Sequence, residues 1–268
     1  MLAVCATPIG NLEDVTLRVL RELAEADAVL CEDTRRTRVL LERHGISAAL
    51  VSFHRHNEAA RVAEVLPRLV AGERLALVSD AGLPGVNDPG VRLIAAAVEA
   101  GVPVTVLPGP SAVATALVAS GFAIERYQFL GYLPRAEAAL RTLFEELRRW
   151  PHSAVAFESP QRLPAALGAL ADVDPERRVA VCRELTKLFE EVVRGPAREV
   201  AEHFRTPPKG EITIVLAPSE LPAEPADVES ASQAVADLVA EGVSRRRAAE
   251  VVARVSGVPR NDLYRRSL

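Results

Sequence analysis

Polar side chains that could do acid–base chemistry follow two apolar runs in the first half of the chain. These residues are Glu32, Asp33, Arg35, Asn57 and Glu58. A carboxylate beside an arginine can orient a hydroxyl group and accept its proton. A second interpretation is that Asp33 and Asn57 only cap the helices that follow them. His54 and His56 lie nearby, but they lack a third ligand at a usable spacing, and we therefore predict no metal site.

Three loops rich in glycine and proline also follow predicted strands, and each is a candidate for ligand binding. They are Thr7–Asn11, Ser79–Gly90 and Pro108–Ala112. Glycine lets the backbone approach a ligand closely, and proline restricts a loop to few conformations. A loop that only connects a strand to a helix needs about two to six residues, and the loop at Ser79–Gly90 is longer. None of the three contains G-x-G-x-x-G or G-x-x-x-x-G-K-[ST], so neither a dinucleotide fold nor a P-loop is indicated.

The elements that must position these loops alternate between short apolar strands and amphipathic helices. The predicted strands of an N-terminal α/β domain, residues 1–120, are Leu2–Ala6, Ala28–Cys31, Ala49–Phe53, Leu75–Val78 and Val104–Leu107. Strands that alternate with helices of about ten or more residues are typical of a parallel sheet covered on both faces. Ligands bind such sheets beyond the carboxyl ends of the strands. We therefore expect the three loops and the polar cluster to meet at one edge.

The pattern changes after about residue 120, and we predict a second α/β domain over residues 121–218. Its predicted strands are Tyr127–Leu130, Ala154–Phe157, Val179–Cys182, Glu190–Val193 and Glu211–Leu216, and its predicted helices are Ala136–Arg149 and Leu163–Ala171. The third and fourth of these strands are too close in the chain for a parallel crossover, so the sheet should be antiparallel or mixed.

A helical module is predicted to follow at residues 226–268, after a linker at Pro218–Pro225 that is rich in proline and polar residues. Its predicted helices are Asp227–Ala240, Ser244–Val255 and Asn261–Arg266. Ser244 and Asn261 are expected to cap the second and third helices. Three short helices are compatible with a helix-turn-helix-like module.

The charge distribution makes this module a candidate nucleic-acid contact. The whole chain carries a net charge of −4, but the stretch from Glu241 to the end holds seven arginines against three acidic residues. A basic segment on an acidic body is typical of proteins that bind nucleic acid. The alternative is a solvated helix face without a partner.

The remaining composition indicates a cytoplasmic globular protein. The chain has 268 residues, of which 49% are hydrophobic and 25% charged. No apolar run is long enough to span a membrane, and the N-terminus begins directly as a strand without the features of a signal peptide. Cys5, Cys31 and Cys182 lie in apolar runs, and we expect buried free thiols in a reducing compartment.

Seven motifs in this order resemble the ribosomal RNA small subunit methyltransferase I family, within the tetrapyrrole methylase superfamily. The motifs are Thr7–Leu12, Glu32–Arg35, His56–Glu58, Ser79–Gly85, Leu107–Ala112, Glu158–Pro160 and Arg183–Lys187. The resemblance covers roughly Leu2 to Ala217, and the helical tail is similar to that family's C-terminal module. The chain departs from the family pattern at Phe157, where tyrosine is usual, at Leu83, where threonine is common, and at Arg55, where the family tends to have an acid.

The resemblance implies an S-adenosyl-L-methionine-dependent methyltransferase that modifies the ribose 2′-hydroxyl of a cytidine in the decoding region of 16S rRNA, within the small ribosomal subunit. It also implies a homodimer and a tetrapyrrole-methylase-like fold, with the donor in the cleft between the two α/β domains. Carried over by position, the donor site comprises Pro8, Asp80, Ala81, Gly82, Val86, Ser111, Ala112, Phe157, Ile212 and Thr213.

The polar cluster would then hold the acceptor hydroxyl, with one of its carboxylates as the proton acceptor. Two other classes of function stay open at this point. A methylase of the same fold could act on a precorrin-type tetrapyrrole or a diphthine-type side chain, and a non-catalytic RNA-binding factor could have kept the fold.

Overall fold

The residues described by this computed structural model, 1–221 and 228–266, contain two five-stranded sheets followed by a group of three helices. The predicted linker at 218–225 is described only as far as residue 221, and residues 222–227 lie outside the described part. The chain enters the second sheet only after completing the first.

The first sheet is parallel throughout, which confirms the prediction. Its strands are β1 (Leu2–Cys5), β2 (Ala28–Cys31), β3 (Leu50–Ser52), β4 (Leu75–Val78) and β5 (Val104–Leu107), in the spatial order β3-β2-β4-β1-β5. The helices that follow these strands are α1 (Leu17–Glu25), α2 (Thr34–Arg43), α3 (Glu58–Val70), α4 (Val91–Glu99) and α5 (Ala112–Ser120). Residues 12–14 form a short 3₁₀ helix before α1.

The continuous apolar strands are explained by apolar packing on both faces of this sheet. Leu2 and Leu77 belong to the core on one face, and Ala3 and Val78 belong to the core on the other. A strand buried on both sides has no solvent face and therefore shows no polar alternation. Because all strands run in one direction, the carboxyl ends of β1, β2 and β4 lie side by side.

The second sheet is mixed, as predicted from the short connection between its third and fourth strands in the sequence. Its strands are β6 (Tyr127–Tyr132), β7 (Ser153–Glu158), β8 (Arg178–Arg183), β9 (Glu191–Pro196) and β10 (Ile212–Leu216), in the order β6-β7-β10-β8-β9. Only the β6–β7 pair is parallel. The helices around it are α6 (Glu137–Leu147), α7 (Leu163–Val173) and α8 (Ala197–His203).

Helix α5 connects the two sheets. Its residues Val113, Ala116 and Leu117 are buried and pack with Val155 and Val215 of the second sheet. A helix that is apolar on most sides is expected to be buried, and α5 follows this rule on the face toward the second sheet. Ser111 caps the start of α5 by accepting a hydrogen bond from the Ala114 amide, and the first turn of α5 is therefore fixed where the sheets meet.

The C-terminal helices are α9 (Val228–Ala240), α10 (Arg245–Ser256) and α11 (Arg260–Arg266), and they share a small core of their own. Asn261 was predicted to cap the last helix, which is wrong because α11 begins one residue earlier, at Arg260. Ser244 precedes α10 as predicted, but its side chain makes no capping hydrogen bond.

Buried, unpaired thiols are confirmed for all three cysteines. Burial raises the pKa of Cys5 to about 12 and that of Cys182 to about 11, so both thiols stay protonated. Within residues 1–221 and 228–266, no helix is both long and apolar enough to cross a bilayer.

Candidate functional site

Backbone hydrogen bonds join the loops after β1 and β4 at the edge of the first sheet. The Thr7 amide donates to the Gly82 carbonyl at 2.8 Å, and the Gly82 amide donates to the Thr7 carbonyl at 3.0 Å. The Thr7 hydroxyl donates to the Ser79 carbonyl at 3.0 Å. These bonds satisfy backbone groups that have no ladder partner once the strands end, and they hold both loops in one arrangement.

The long loop Ser79–Gly90 is also tied to residues of the predicted polar cluster. The Gly90 amide donates to Glu58 Oε1 at 2.9 Å, and the Asp33 amide donates to Asp80 Oδ1 at 3.0 Å. Gly90 has a φ of +133°, and a β-carbon there would lie 2.9 Å from Leu77 Cδ2. Glycine is therefore required at the point where this loop enters α4.

A cavity of about 570 Å³, which we call the larger cavity, opens between the two sheets. Its walls include nine of the ten residues predicted to hold a donor, namely Asp80, Ala81, Gly82, Val86, Ser111, Ala112, Phe157, Ile212 and Thr213. The tenth, Pro8, lies elsewhere. The first sheet contributes loop backbone, and the second contributes the ends of β7 and β10, so one ligand could touch both.

A second cavity of about 290 Å³, the smaller cavity, adjoins the larger one and contains Pro8 in its wall. Five residues line both cavities and form the wall between them: Ile9, Arg36, Asp80, Ala81 and Glu211. A ligand in either cavity therefore lies beside the same few side chains.

Glu32 is the member of the polar cluster that reaches the larger cavity. Burial raises the pKa of its carboxyl, and the negative charges of Asp88 and Asp80 raise it further, although Arg55 and Arg36 act in the opposite direction. A carboxylate with raised basicity in a cavity wall is suited to accept a proton.

The other four members of the cluster line neither cavity, and each has a local structural contact. The Asp33 carboxylate caps α2 and is held by the Arg35 guanidinium at 2.7 and 3.0 Å. These hydrogen bonds from Arg35 keep the pKa of Asp33 far below its usual value. Asn57 Oδ1 accepts from the His54 amide at 2.8 Å, and Glu58 binds Gly90 as described.

Several cavity residues were not assigned from the sequence: Arg36, Asp88, Tyr132, Glu158 and Glu211. Asp88 lies in the long loop Ser79–Gly90, and Glu158 begins the motif Glu158–Pro160. Their positions in these two segments were the sequence signal that could have identified them as cavity residues. Burial raises the pKa of both carboxyls. Tyr132 reaches the cavity because β6 extends to it past an irregularity after Phe129, which no sequence pattern indicated.

A contact between the loop after β1 and the loop after β8 contributes Gly10 and Lys187 to the wall of the smaller cavity, and we call it the inter-sheet clasp (Gly10–Asn11 against Glu184–Lys187). The Asn11 amide donates to Thr186 Oγ1 at 3.0 Å. A β-carbon on Gly10 would lie 2.9 Å from the Leu185 carbonyl oxygen, so only glycine allows this approach. Lys187 Nζ donates to Glu184 Oε1 and Glu211 Oε2, both at 2.8 Å. Glu184 and Thr186 have φ values of 52° and 67°, a conformation that persists only where the surroundings enforce it.

The C-terminal helices expose most of their arginines. The exposed residues are Arg246, Arg247, Arg254, Arg260, Arg265 and Arg266. Glu250 partly offsets two of them, because its carboxylate lies 3.1 Å from Arg247 and 3.9 Å from Arg254. The result is a basic surface on a small independent core.

Both the α/β part and the C-terminal helical part of the chain match known protein families. Residues 1–201 match the family of Tetrapyrrole (Corrin/Porphyrin) Methylases, and residues 224–268 match the RsmI C-terminal HTH domain.

Curated relatives named "Ribosomal RNA small subunit methyltransferase I" are similar over the full length. The protein from Mesorhizobium japonicum is 43% identical and the alignment covers 100% of this chain and 91% of the relative. The protein from Halalkalibacterium halodurans is 41% identical over 98% of this chain and 93% of the relative. The protein from Thermotoga maritima is 43% identical, and 99% of it corresponds to only 82% of this chain.

Solved structures share the fold at much lower identity. The methyltransferase CobJ superimposes with a TM-score of 0.62 at 18% identity, covering 83% of this chain and 95% of CobJ. Uroporphyrin-III C-methyltransferase from Thermus thermophilus, in complex with S-adenosyl homocysteine, gives 0.57 at 19% identity over 81% of this chain and 96% of that protein.

Proposed function

Because the chain belongs to the ribosomal RNA small subunit methyltransferase I family, it is an S-adenosylmethionine-dependent methyltransferase, and we propose that its acceptor is the ribose 2′-hydroxyl of a cytidine in the decoding region of 16S rRNA. One observation carries the proposal that the methyl group is transferred to a hydroxyl. Glu32, a carboxylate of raised pKa, lies in the wall of a cavity large enough for the donor.

The donor is proposed to occupy the larger cavity. S-adenosylmethionine has an amino acid end, a sulfonium cation and an adenine, and loop amides and carbonyls can bind the two polar ends. The loops that reach this cavity contain Ala81, Gly82 and Ser111, and Phe157 and Thr213 face them from the second sheet. Asp80 supplies a negative charge that can face the sulfonium. Pro8 supports the same loop from the side of the smaller cavity.

The methyl transfer is proposed to be a single in-line displacement. The 2′-oxygen attacks the methyl carbon, the carbon–sulfur bond breaks, and S-adenosylhomocysteine leaves. The hydroxyl proton passes to Glu32, whose raised pKa matches this role better than the strongly held carboxylate of Asp33. Most of the rate comes from holding oxygen, carbon and sulfur on one line.

The rest of the cluster is proposed to position this centre. Glu58 fixes Gly90 and Asn57 fixes the start of the α3 segment, while Asp33 and Arg35 fix the start of α2 directly after Glu32. These four residues therefore act on the reaction through backbone placement.

We extend this proposal to three further properties of the protein. They are its contact with RNA, its oligomeric state and its location in the cell. The arginine-rich helices α10 and α11 are proposed to bind rRNA phosphates, which agrees with the match of residues 224–268 to a helix-turn-helix module. A homodimer is proposed from the free edge of the first sheet, where the apolar side chain of Val106 on β5 is 51% exposed. Ribosomal subunits are assembled in the cytoplasm, and we place the protein there.

Mass spectrometry of ribosomal RNA nucleosides tests the central claim. Cells that lack this protein should lose one 2′-O-methylcytidine per small subunit, and adding the purified protein and donor to their subunits should restore it. An unchanged nucleoside profile, or a methyl group on a base nitrogen or carbon, would contradict the proposed reaction.

A further inference from the structure

The proposed function assigns no ligand to the smaller cavity, although this cavity shares a wall with the larger one. We propose that it is the acceptor site, and that Arg36 in this wall binds the phosphodiester on the 3′ side of the target ribose. This inference rests on the proposed function, since it names the contact that the RNA makes at the same site.

The geometry of methyl transfer requires the acceptor site to adjoin the donor site, because oxygen, methyl carbon and sulfur lie on one line. The smaller cavity meets this requirement through Ile9, Asp80 and Ala81, which line both cavities. Its volume of about 290 Å³ is roughly half the 570 Å³ of the larger one. It lies just below the usual range for small-ligand pockets, roughly 300–1,000 Å³, and so suits part of one nucleotide better than a long ligand.

The chemistry of an internal ribose adds a second requirement. Its 2′-hydroxyl is the neighbour of its own 3′-phosphodiester, so an enzyme that reaches this hydroxyl must also accommodate that negative charge. Carboxylates that would repel a phosphate line both cavities: Glu32 and Asp88 line the larger one, and Asp80 and Glu211 line the wall between the two. A cation with unused hydrogen-bond donors must therefore stand at the junction of the two cavities.

Two cations line the smaller cavity, and their surroundings differ. The ammonium of Lys187 is already bound by two carboxylates at 2.8 Å. The side chain of Arg36 is 60% exposed, and its ion pair with Asp80 is long, with 3.7 Å between Nε and Oδ2. Among the contacts within the described part of the chain, the Arg36 side chain makes no hydrogen bond. A planar guanidinium can donate two parallel bonds to a phosphate, and Arg36 is placed to do so beside Glu32.

Steady-state methylation of small subunits purified from cells that lack this protein tests the assignment. Arg36→Ala should lower kcat/KM for the subunit by about tenfold or more, as expected for loss of a charged hydrogen-bonded contact. Arg36→Lys should recover part of this loss, because lysine keeps the charge but not the two-pronged geometry. The slope of log affinity against log salt concentration should fall by about one for Arg36→Ala.

Calorimetric titration with S-adenosylhomocysteine distinguishes an RNA contact from a structural role of Arg36. A structural role would change the affinity for this ligand as well. Arg36→Ala should bind it with the affinity of the wild-type protein. Arg43→Ala is the matched control, since Arg43 lies on the same helix in an exposed ion pair with Glu13, and it should match the wild type in both assays.

Two results would overturn the inference. One is wild-type kcat/KM and salt slope in Arg36→Ala. The other is a loss of S-adenosylhomocysteine affinity in Arg36→Ala, which would assign the guanidinium to the carboxylate of the donor. Failure of the proposed function is a distinct result, because the wild-type protein would then bind S-adenosylhomocysteine but transfer no methyl group to the subunits.

Discussion

At the scale of single residues, the site depends on two consecutive carboxylates in opposite environments. Glu32 faces a cavity together with Asp80 and Asp88, so burial and like charge make it more basic. Asp33 points to the start of α2, where the Arg35 guanidinium and backbone amides keep it ionised. A shift of one residue along the chain thus separates a carboxylate in a cavity wall from a helix cap.

Replacing Glu32 by glutamine should lower the turnover number about 100-fold or more while leaving donor binding intact, because the amide cannot accept the proton. Single-turnover methylation of small subunits measures the rate, and calorimetry with S-adenosylhomocysteine measures donor binding. Glu42→Gln is the control, since Glu42 is exposed on α2, the helix that follows Glu32, and lies outside both cavities. Wild-type turnover in Glu32→Gln would assign the proton to another acceptor.

The pH dependence of kcat/KM should reflect the ionisation of the Glu32 carboxyl. Its pKa is raised, so the carboxyl stays protonated to a higher pH than that of an exposed glutamate, and a protonated carboxyl cannot act as the base. The rate should therefore fall with decreasing pH, beginning above the ordinary glutamate range. The acidic limb should be absent in Glu32→Gln, and its persistence there would point to Asp88, whose pKa is also raised by burial.

The sequence indicated which segments contain the candidate polar residues, but it could not show which of two adjacent residues faces a cavity. The cluster was found because carboxylates follow two strands, yet only Glu32 of its five members lines a cavity. Arg35 was selected and Arg36 was not, although Arg36 lines both cavities and Arg35 binds Asp33. Consecutive helical side chains point about 100° apart, and which one faces a cavity depends on how the helix packs.

At the scale of elements, apolar runs predicted the strands best where a strand is buried along its whole length, as β1, β2, β4 and β10 are. The strand predicted at Ala28–Cys31 has the observed bounds. The strand predicted at Tyr127–Leu130 continues to Tyr132. Helix α8 was missed, since seven residues that begin directly after Pro196 are too short for a clear 3.6-residue period. The meeting of the two sheets through α5 could not be predicted, because it depends on contacts far apart in sequence.

Gly90→Ala should destabilise the protein and weaken donor binding, because the added methyl group meets Leu77 and the residue keeps a left-handed φ. Strain of this kind costs about 1–3 kcal/mol, which thermal unfolding would detect. Gly45→Ala separates the two causes, since Gly45 has a φ of +67° but no atom within 4 Å of the added carbon. Equal losses of stability in both variants would show that the contact with Leu77 contributes nothing.

At the scale of the whole molecule, the C-terminal helices form a unit with its own core and an exposed basic surface. Deleting residues 225–268 should weaken rRNA binding and make it less dependent on salt, while S-adenosylhomocysteine binding is unchanged. Filter binding at several salt concentrations measures the first effect and calorimetry the second. RNA affinity that survives the deletion would make this unit purely structural.

The edge of the first sheet should carry the subunit contact. In the described structure β5 pairs only with β1, and an unpaired strand with exposed apolar side chains is a typical contact surface. Val106→Glu on β5 should therefore convert a dimer into a monomer in sedimentation velocity experiments. Val70→Glu is the control, because Val70 is 63% exposed on α3. A wild-type protein that sediments as a monomer would refute the dimer.

The inter-sheet clasp has a mechanical consequence for how substrate is admitted. Where Gly10 meets Leu185, there is no room for even one additional carbon atom, and the partition between the two cavities is anchored to the same loop. A displacement of roughly 1 Å along the reaction axis can cost about a hundredfold in rate. Because the protein has no free space at this contact, we expect the polynucleotide to be the partner that changes conformation, by unstacking and turning its sugar toward the proposed acceptor site.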